Sequence, residues 1–387
     1  MIVTVHSLIS IVGGPLGMDI VTGYSYSEDP KAIVSEATAS FGVHPGTILY
    51  FSPASVFEGL TRELADKYPH EQLFGATTNY SFFADIKCSE EYGAGTVIVA
   101  FGDSFDCSGG VIEEIIMHPI EFAPVVARCM NEVEEENTVC LTFTTAFFGA
   151  EELVLDTLAS VIGDRKIHVA GSSCANEKYD RVTYVAHNGI IYSSASIFLF
   201  VHNRKGRISV VKQDLFVPMR AEFRATSVDV RKRIVYELDG KPAASEMARH
   251  LHYELYELDE HLADYGLGRK IGDELYMTEL VKITKEKGLE VLASVFGGTR
   301  VCIVERGRYE RCLTDMIATI RKEIPQPRFM IYVNCISLTK YYRKINWISV
   351  FSAGLGTLAP EFAGISGFGE QLDRNNINKT LVGIAFE

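Results

Sequence analysis

The chain has 387 residues, 47% of them hydrophobic and 22% charged, with a formal net charge of −13. That length and apolar content suit a globular protein with a large core, and favour two domains over one. The acidic balance argues against nucleic acid, whose phosphates need clustered Lys and Arg; the nearest approach to a basic cluster, Arg231-Lys232-Arg233, is short and reads as a solvated edge.

The N-terminal stretch MIVTVHSLISIVGGPLG is apolar, but no Lys or Arg precedes its apolar run and no A-x-A site follows, so it does not read as a signal peptide. No run reaches the roughly 18 apolar residues of a membrane span. A cytoplasmic protein without membrane insertion is expected. Cysteines stand at 88, 107, 129, 140, 174, 302, 312 and 335 with no C-x-x-C pair, which excludes the usual zinc and thioredoxin-like patterns. Several sit in apolar runs such as TVCLTF and TRVCIVE, where a reduced thiol packs as a small hydrophobe.

Along the chain one unit recurs three times. The first copy has a strand TILYF (47–51), a loop SPAS and a helix VFEGLTRELADKY carrying Val56, Leu60 and Leu64 at helical spacing. A short strand QLF, a loop GATTNY (75–80) and a β-rich stretch ending in TVIVAFG (96–102) complete it. The second runs TVCLTF (138–143), TTAFFG, a helix AEELVLDTLASVIG with Leu153, Leu155, Leu158 and Val161, a strand IHVA, the loop GSSCANEK (171–178) and a β-rich tail. The third runs RFMIYV (328–333), NCISLTK, a less regular segment through KINWISVFSAGLG, a strand EFA, the loop GISGFGEQ (364–371) and the tail KTLVGIAF.

The strands are apolar throughout, as expected when helices cover both faces. The predicted fold class is α/β: two layered domains of repeated strand-loop-helix-strand units with mixed sheets. Residues 1–205 would hold two copies and 206–387 the third, with the boundary near VHNRKGRISVVKQDL (201–215). The second domain would open on a hairpin region and a helix over 243–265, and return through a hinge at Pro325–Pro327.

Gly75, Gly171 and Gly364 are each expected to end a short strand, where a missing Cβ permits a sharp turn or a close approach. Small hydrogen-bonding residues follow: Thr77, Thr78 and Asn79; Ser172, Ser173 and Asn176; Ser366 and Glu370. Loops at strand carboxyl ends line the ligand crevice of α/β sheets, so these three predict one shared polar site for a small molecule. Plain turn chemistry is the competing reading.

The closing segment AGISGFGEQ…NINKTLVGIAF resembles the end of the FIST domain family, with Gly364, Gly369, Glu370, Asn378 and Thr380 at the motif positions. YELDGKPAASEMARHL (236–251) is similar to the segment that opens that family's C-terminal half, and GYSYSEDPKAIVSEA (23–37) and LFGATTNYSFF (73–83) resemble its N-terminal half. The resemblance implies an intracellular sensory protein for a small ligand such as an amino acid; a non-enzymatic sensor is expected, with a small carboxylate as a further ligand candidate. It also implies association with a histidine kinase, a chemotaxis receptor or a cyclic-dinucleotide enzyme, and one branch resembles haem-containing nitric-oxide sensors. The length leaves no room for a fused output domain, so a signal is expected to pass to a separate partner. Where the family shows Cys followed shortly by Arg, this chain has Cys335 followed by Ile336, Ser337 and Leu338. Lys340 or Arg343 would then meet an anionic ligand, or the ligand differs.

Single residues add alternatives. Glu370 would accept from a ligand ammonium or cap a backbone turn, and Asn378 is expected to bond backbone before the last strand. Cys174 is a nucleophile candidate for a hydrolase or acyl transferase, with His168 or His187 as base. His187, in YVAHNGIIY beside the Asn188-Gly189 turn, is a haem-ligand candidate set against an ordinary turn-flanking histidine. His250, Glu254, Glu257 and His261 would form one row on the 243–265 helix, either a solvated face or a divalent-metal site.

Overall fold

A computed structural model describes residues 20–42, 44–83, 95–178, 181–272 and 274–387. The N-terminal stretch read against a signal peptide and Cys88 lie outside the described residues. The first unit comprises β1 (Ile20–Ser25), α1 (Pro30–Ala37), β2 (Thr47–Ser52), α2 (Ala54–Lys67), β3 (Leu73–Thr77), β4 (Tyr80–Phe83) and β5 (Thr96–Phe101). The second comprises β6 (Phe105–Glu113), α3 (Ala123–Met130), β7 (Thr138–Thr144), α4 (Glu151–Ile162), β8 (His168–Ser173), β9 (Val185–His187), β10 (Ile190–Tyr192) and β11 (Ala195–Asn203).

The third unit opens with β12 (Ile208–Asp214) and is then interrupted by an insert. The insert holds β13 (Phe216–Asp229), β14 (Ile234–Leu238), β15 (Lys241–Pro242), α5 (Ala243–Leu251), α6 (Leu255–His261), β16 (Tyr265–Ile271), β17 (Glu274–Ile283), β18 (Leu289–Val291) and β19 (Arg300–Arg306). The unit resumes with α7 (Tyr309–Glu323), β20 (Phe329–Cys335), α8 (Ile336–Lys344), α9 (Ile348–Leu355), β21 (Glu361–Gly367), β22 (Gly369–Leu372), β23 (Asn375–Ile377) and β24 (Thr380–Phe386).

The fold is α/β with mixed sheets, and the three units repeat one topology. Each centres on a parallel pair, β2–β3, β7–β8 or β20–β21. The unit's last strand, β5, β11 or β24, lies antiparallel against the first member of that pair. Its first strand, β1, β6 or β12, lies outside that. The far side is filled by exchange. Unit two donates β9 to β3, unit three donates β22 to β8, and unit one donates β4 to β21. The exchange closes a ring of three sheets.

Strand alternation explains the layers. Leu49 and Phe51, Leu141 and Phe143, and Ile331 and Val333 point into one core shared by all three sheets. Residues of opposite parity point outward under helices: Ile48 and Tyr50 with α1 and α2, Cys140 with α3 and α4, Met330 and Tyr332 with α7 to α9. Both faces are therefore apolar, but helices cover only the outer one; the inner face packs on the other two sheets, where helices on both faces were expected. On α4 the buried stripe is Val154, Leu155, Leu158 and Ile162, and Leu153 faces solvent. The irregular third segment is two helices, broken where Asn346 takes a φ of 54°.

The insert is a closed antiparallel barrel in the order β13-β19-β16-β17-β18-β14, sealed by the β13–β14 pair. Phe223, Leu267, Leu280 and Val301 fill it together with Met247, Leu258 and Leu262 from α5 and α6. The single helix expected over 243–265 is not formed. It stops at Leu251, His252 turns left-handed at a φ of 58°, and a Glu254–Glu257 capping box starts α6. The expected histidine–glutamate row is thereby dispersed. His250 lies 3.2 Å from Glu246, Glu257 accepts from the Glu254 amide at 2.7 Å, and His261 stacks on Tyr253. Residues 205 and 206 lie in the connection between β11 and β12, but β4 and β22 pair across that line, so the two sides share sheets and core.

Candidate functional site

The three glycines do not end their strands. Gly75 lies within β3, Gly171 within β8 and Gly364 within β21. What two of them supply is close approach: a Cβ on Gly75 would stand 2.2 Å from the Tyr50 ring, and one on Gly171 would stand 1.6 Å from the Thr142 carbonyl oxygen. The turns come two residues later, and there the three units meet. The Ala175 amide donates to the Thr77 carbonyl at 3.0 Å, Phe368 to Ser173 at 3.0 Å, and Asn79 to Ser366 at 3.2 Å. Each bond joins the fourth residue after one glycine to the second residue after another. Equivalent positions close a cyclic clasp.

The side chains named from sequence are brought together, and most of their polar atoms bond there, while Asn79 Oδ1 is left without a partner and Ser173 donates to Glu151. Thr78 Oγ1 donates to the carbonyls of Tyr80 and Ser366, both at 3.0 Å. Thr77 Oγ1 accepts from the Tyr184 amide at 3.1 Å. The Asn79 amide nitrogen donates to the Asn176 carbonyl at 2.8 Å, and Asn176 donates to Val182 at 2.7 Å. Ser172 donates to Gly369, and the Ser366 hydroxyl pairs with Thr339. Thr77, Thr78, Asn79, Ser172, Ser173, Asn176 and Ser366 are all buried, so the expected open hollow is instead a close-packed junction.

Glu370 and Asn378, both named as ligand-binding, bond the chain itself, which for Glu370 is one of its two readings and for Asn378 the expected backbone bond. Glu370 Oε2 accepts from the Thr380 amide at 3.2 Å and from its hydroxyl at 2.7 Å. Asn378 accepts from the Glu279 amide at 3.2 Å and donates to the Phe368 carbonyl at 3.4 Å. Burial pushes the Glu370 carboxyl well above the usual range, against the Thr380 bonds, and pushes the neighbouring Cys335 thiol up as well.

Cys174 lies in the clasp with Thr77 at its sulfur, and burial pushes its thiol up to about 12. Its suggested bases are engaged elsewhere: His168 pairs with Asp373 at 3.1 Å, and the His187 ring lies against Phe74. Burial lowers the His187 pKa. Arg343 lies over the Tyr80 ring at 5.5 Å.

A second polar cluster, unforeseen in sequence, adjoins the clasp where unit two and strands of unit three meet the barrel. Arg233 donates to Glu151 at 2.7 Å, to Glu152 at 2.6 Å and to the Leu292 carbonyl at 2.5 Å. Far from being a solvated edge, this arginine ties the barrel to the start of α4. Glu152 also accepts from the Ser294 amide at 2.8 Å and from Asn376 at 3.5 Å. Burial alone would raise the Glu152 carboxyl, but the Arg233 charge and the Ser294 amide outweigh it and hold it below the usual range. Arg269 reaches the carbonyls of Ser294 and Asn376, each at 2.9 Å. Gln371 faces Asn376 across β22–β23 and donates to Thr144 at 3.3 Å, at the carboxyl end of β7.

Three buried atoms in this cluster have no hydrogen-bond partner: Gln371 Oε1, Asn376 Oδ1 and Arg269 Nε. Sequence gave only faint pointers to them. Gln371 adjoins Glu370, and Glu151-Glu152 reads as the ordinary acidic first turn of a helix. The β7–α4 loop borders the cluster, with Gly149 close to the Arg233 guanidinium. Phe147 in that loop takes a φ of 70° and packs on Phe368 with ring centroids 4.6 Å apart.

A family model for the FIST N domain matches residues 47–241, from β2 through the first strands of the barrel. No curated protein matches the chain. Among the described residues, no helix is long and apolar enough to cross a membrane.

Proposed function

Because this chain belongs to the FIST family, whose domain is a sensory one for small ligands, we propose that it senses an amino acid or small carboxylate and reports it to a separate signalling protein. A histidine kinase, a chemotaxis receptor or a cyclic-dinucleotide enzyme is the kind of partner intended. The observation that carries this reading is the junction between barrel and three-unit core. It is held by Arg233, Glu151, Glu152 and Arg269 together with backbone groups. It also lies at strand carboxyl ends, where α/β sheets take their ligands.

A polar junction suits a switch. A ligand able to compete for these bonds favours one barrel position over another, and only such differential affinity shifts a conformational balance. The clasp would pass the change on, since each unit contributes a strand to its neighbour's sheet.

We take the protein to be non-enzymatic and cytoplasmic. The raised Cys174 thiol supports the first, and cysteines packed as small hydrophobes, such as Cys129 and Cys140, support the second. The test is a thermal-shift screen of amino acids and small carboxylates. At least one should raise the melting temperature saturably, as binding to the native state alone requires. A screen in which none does so refutes the reading.

A further inference from the structure

The last turn of α4, the start of β8 and the turn between β22 and β23 enclose a cavity of about 200 Å³. Two units build it, because β22 is the strand that unit three lends to the sheet of unit two. Its polar lining is Arg165, Lys166, His168, Asp373 and Arg374, beside the apolar Ile162, Ile167 and Val169. In a chain with a net charge of −13, a recess lined by three fixed cations and one carboxylate runs against the overall sign.

The fold holds these groups in place. Arg165 donates to the last carbonyls of α4, those of Val161 and Ile162, both at 3.2 Å, and so offsets the negative end of that helix. Asp373, left-handed at a φ of 52°, is fastened to β8 twice. Its amide donates to the Val169 carbonyl at 2.8 Å, and its carboxylate accepts from the Val169 amide at 3.2 Å. That fixes the turn carrying Arg374. The same carboxylate bonds His168 at 3.1 Å and raises its pKa, which favours a further positive charge at the rim. Glu135 accepts from the Lys166 backbone amide at 3.2 Å but does not line the cavity. Among the described residues, nothing pairs with the Lys166 ammonium or the Arg374 guanidinium.

We propose that this cavity binds a phosphate monoester with a short apolar stem. Three cations against one carboxylate leave two positive charges unmatched, even with His168 neutral. A phosphate monoester carries about −1.5 to −2 at pH 7, whereas a carboxylate carries a single charge. Guanidinium and ammonium groups are the side chains that hold phosphate oxygens, and the apolar wall suits the stem. The volume falls below the roughly 300–1,000 Å³ of a drug-sized site, so it admits a phosphate and a few carbons but not a nucleotide. The site lies at the opposite end of α4 from Glu151 and Glu152, and does not depend on the sensory reading above.

Isothermal titration calorimetry of the full chain at pH 7 and fixed ionic strength tests this, with ethyl phosphate, inorganic phosphate and propionate as probes. Ethyl phosphate should bind saturably. Inorganic phosphate should bind several-fold more weakly for want of the stem, and propionate at least about tenfold more weakly for want of the second charge. Lys166→Ala and Arg374→Ala remove exposed side chains, and each should weaken ethyl phosphate binding by about tenfold. Lys322→Ala, at an exposed cation on α7, should not. Inorganic phosphate that binds as tightly as the ester refutes the stem, and propionate that does so refutes the phosphate class. If the wild type binds no phosphate saturably, or Lys322→Ala loses as much as Arg374→Ala, the site is refuted and the sensory reading stands.

Discussion

Arg233→Met removes one arginine and leaves two carboxylates, Glu151 and Glu152, facing each other at a buried boundary. The arginine is 16% exposed in its side chain and the two acids 6% and 17%, so water screens little of the loss. Breaking a buried pair from one side costs about 3–5 kcal/mol, because the remaining charge is desolvated without compensation. The pH dependence carries the sharper test. In the wild type the Glu152 carboxyl is held low, so its contribution is present above the unfolded carboxylate value of about 4.3 and lost as pH falls through the folded one. In the variant the Arg233 charge no longer opposes burial, so the Glu152 carboxyl is raised. Its folded form then favours the bound proton, and stability is lost as pH rises through the raised value.

The difference between the two proteins should therefore be largest near neutral pH and shrink as pH falls toward about 4.5. Urea unfolding followed by circular dichroism and by Trp347 fluorescence, at a series of pH values, measures it. Adding Glu151→Gln and Glu152→Gln to Arg233→Met should restore much of the loss, as a coupled set requires. A loss below about 1 kcal/mol, the range of a solvated pair, or one that does not vary with pH, refutes the account.

Gly171→Ala should cost about 3 kcal/mol or more, since its Cβ would meet the Thr142 carbonyl rather than a movable side chain, while Gly42→Ala, with open space around it, should change stability by less than about 0.5 kcal/mol; equal effects in urea titrations would contradict this. Iodoacetamide should label Cys174 at pH 7 far more slowly than it labels glutathione, because the thiol is pushed up to about 12; labelling at the free-thiol rate, read by peptide mass spectrometry, would overturn that. Glu370 has its folded pKa raised by burial, so its stabilising contribution is present below about pH 4.3 and is lost as pH rises through the folded value. Glu370→Gln should accordingly gain on the wild type as pH climbs from 5 to 9, and a difference that stays constant or reverses would show the acid to be ionised in the fold.

The repeated unit was legible because local rules write it. Apolar runs such as ILYF, VCLTF and FMIYV mark the buried parallel strands, and amphipathic spacing marks α2 and α4. The polar residues two to five places after Gly75 and Gly171 also announced that strand ends converge. Their aligned offsets reappear in the Ala175–Thr77, Phe368–Ser173 and Asn79–Ser366 bonds. The helix over 243–265 misled, because its leucine stripe continues through a break set by His252 and the Glu254 cap.

By itself, then, the chain determined the three units, their core strands and the polarity of their turns, since period and composition act over a few residues. Tertiary structure alone decided the rest: the exchange of β4, β9 and β22, the closure of the barrel, and the meeting of Arg233 with Glu151 and Glu152 across some eighty residues. The same holds for Arg269, Gln371 and Asn376, drawn from the barrel and from the end of the chain. A charged or amide side chain carries no periodic signal of its partner, so whether it is solvated or buried is fixed only when distant segments pack against it.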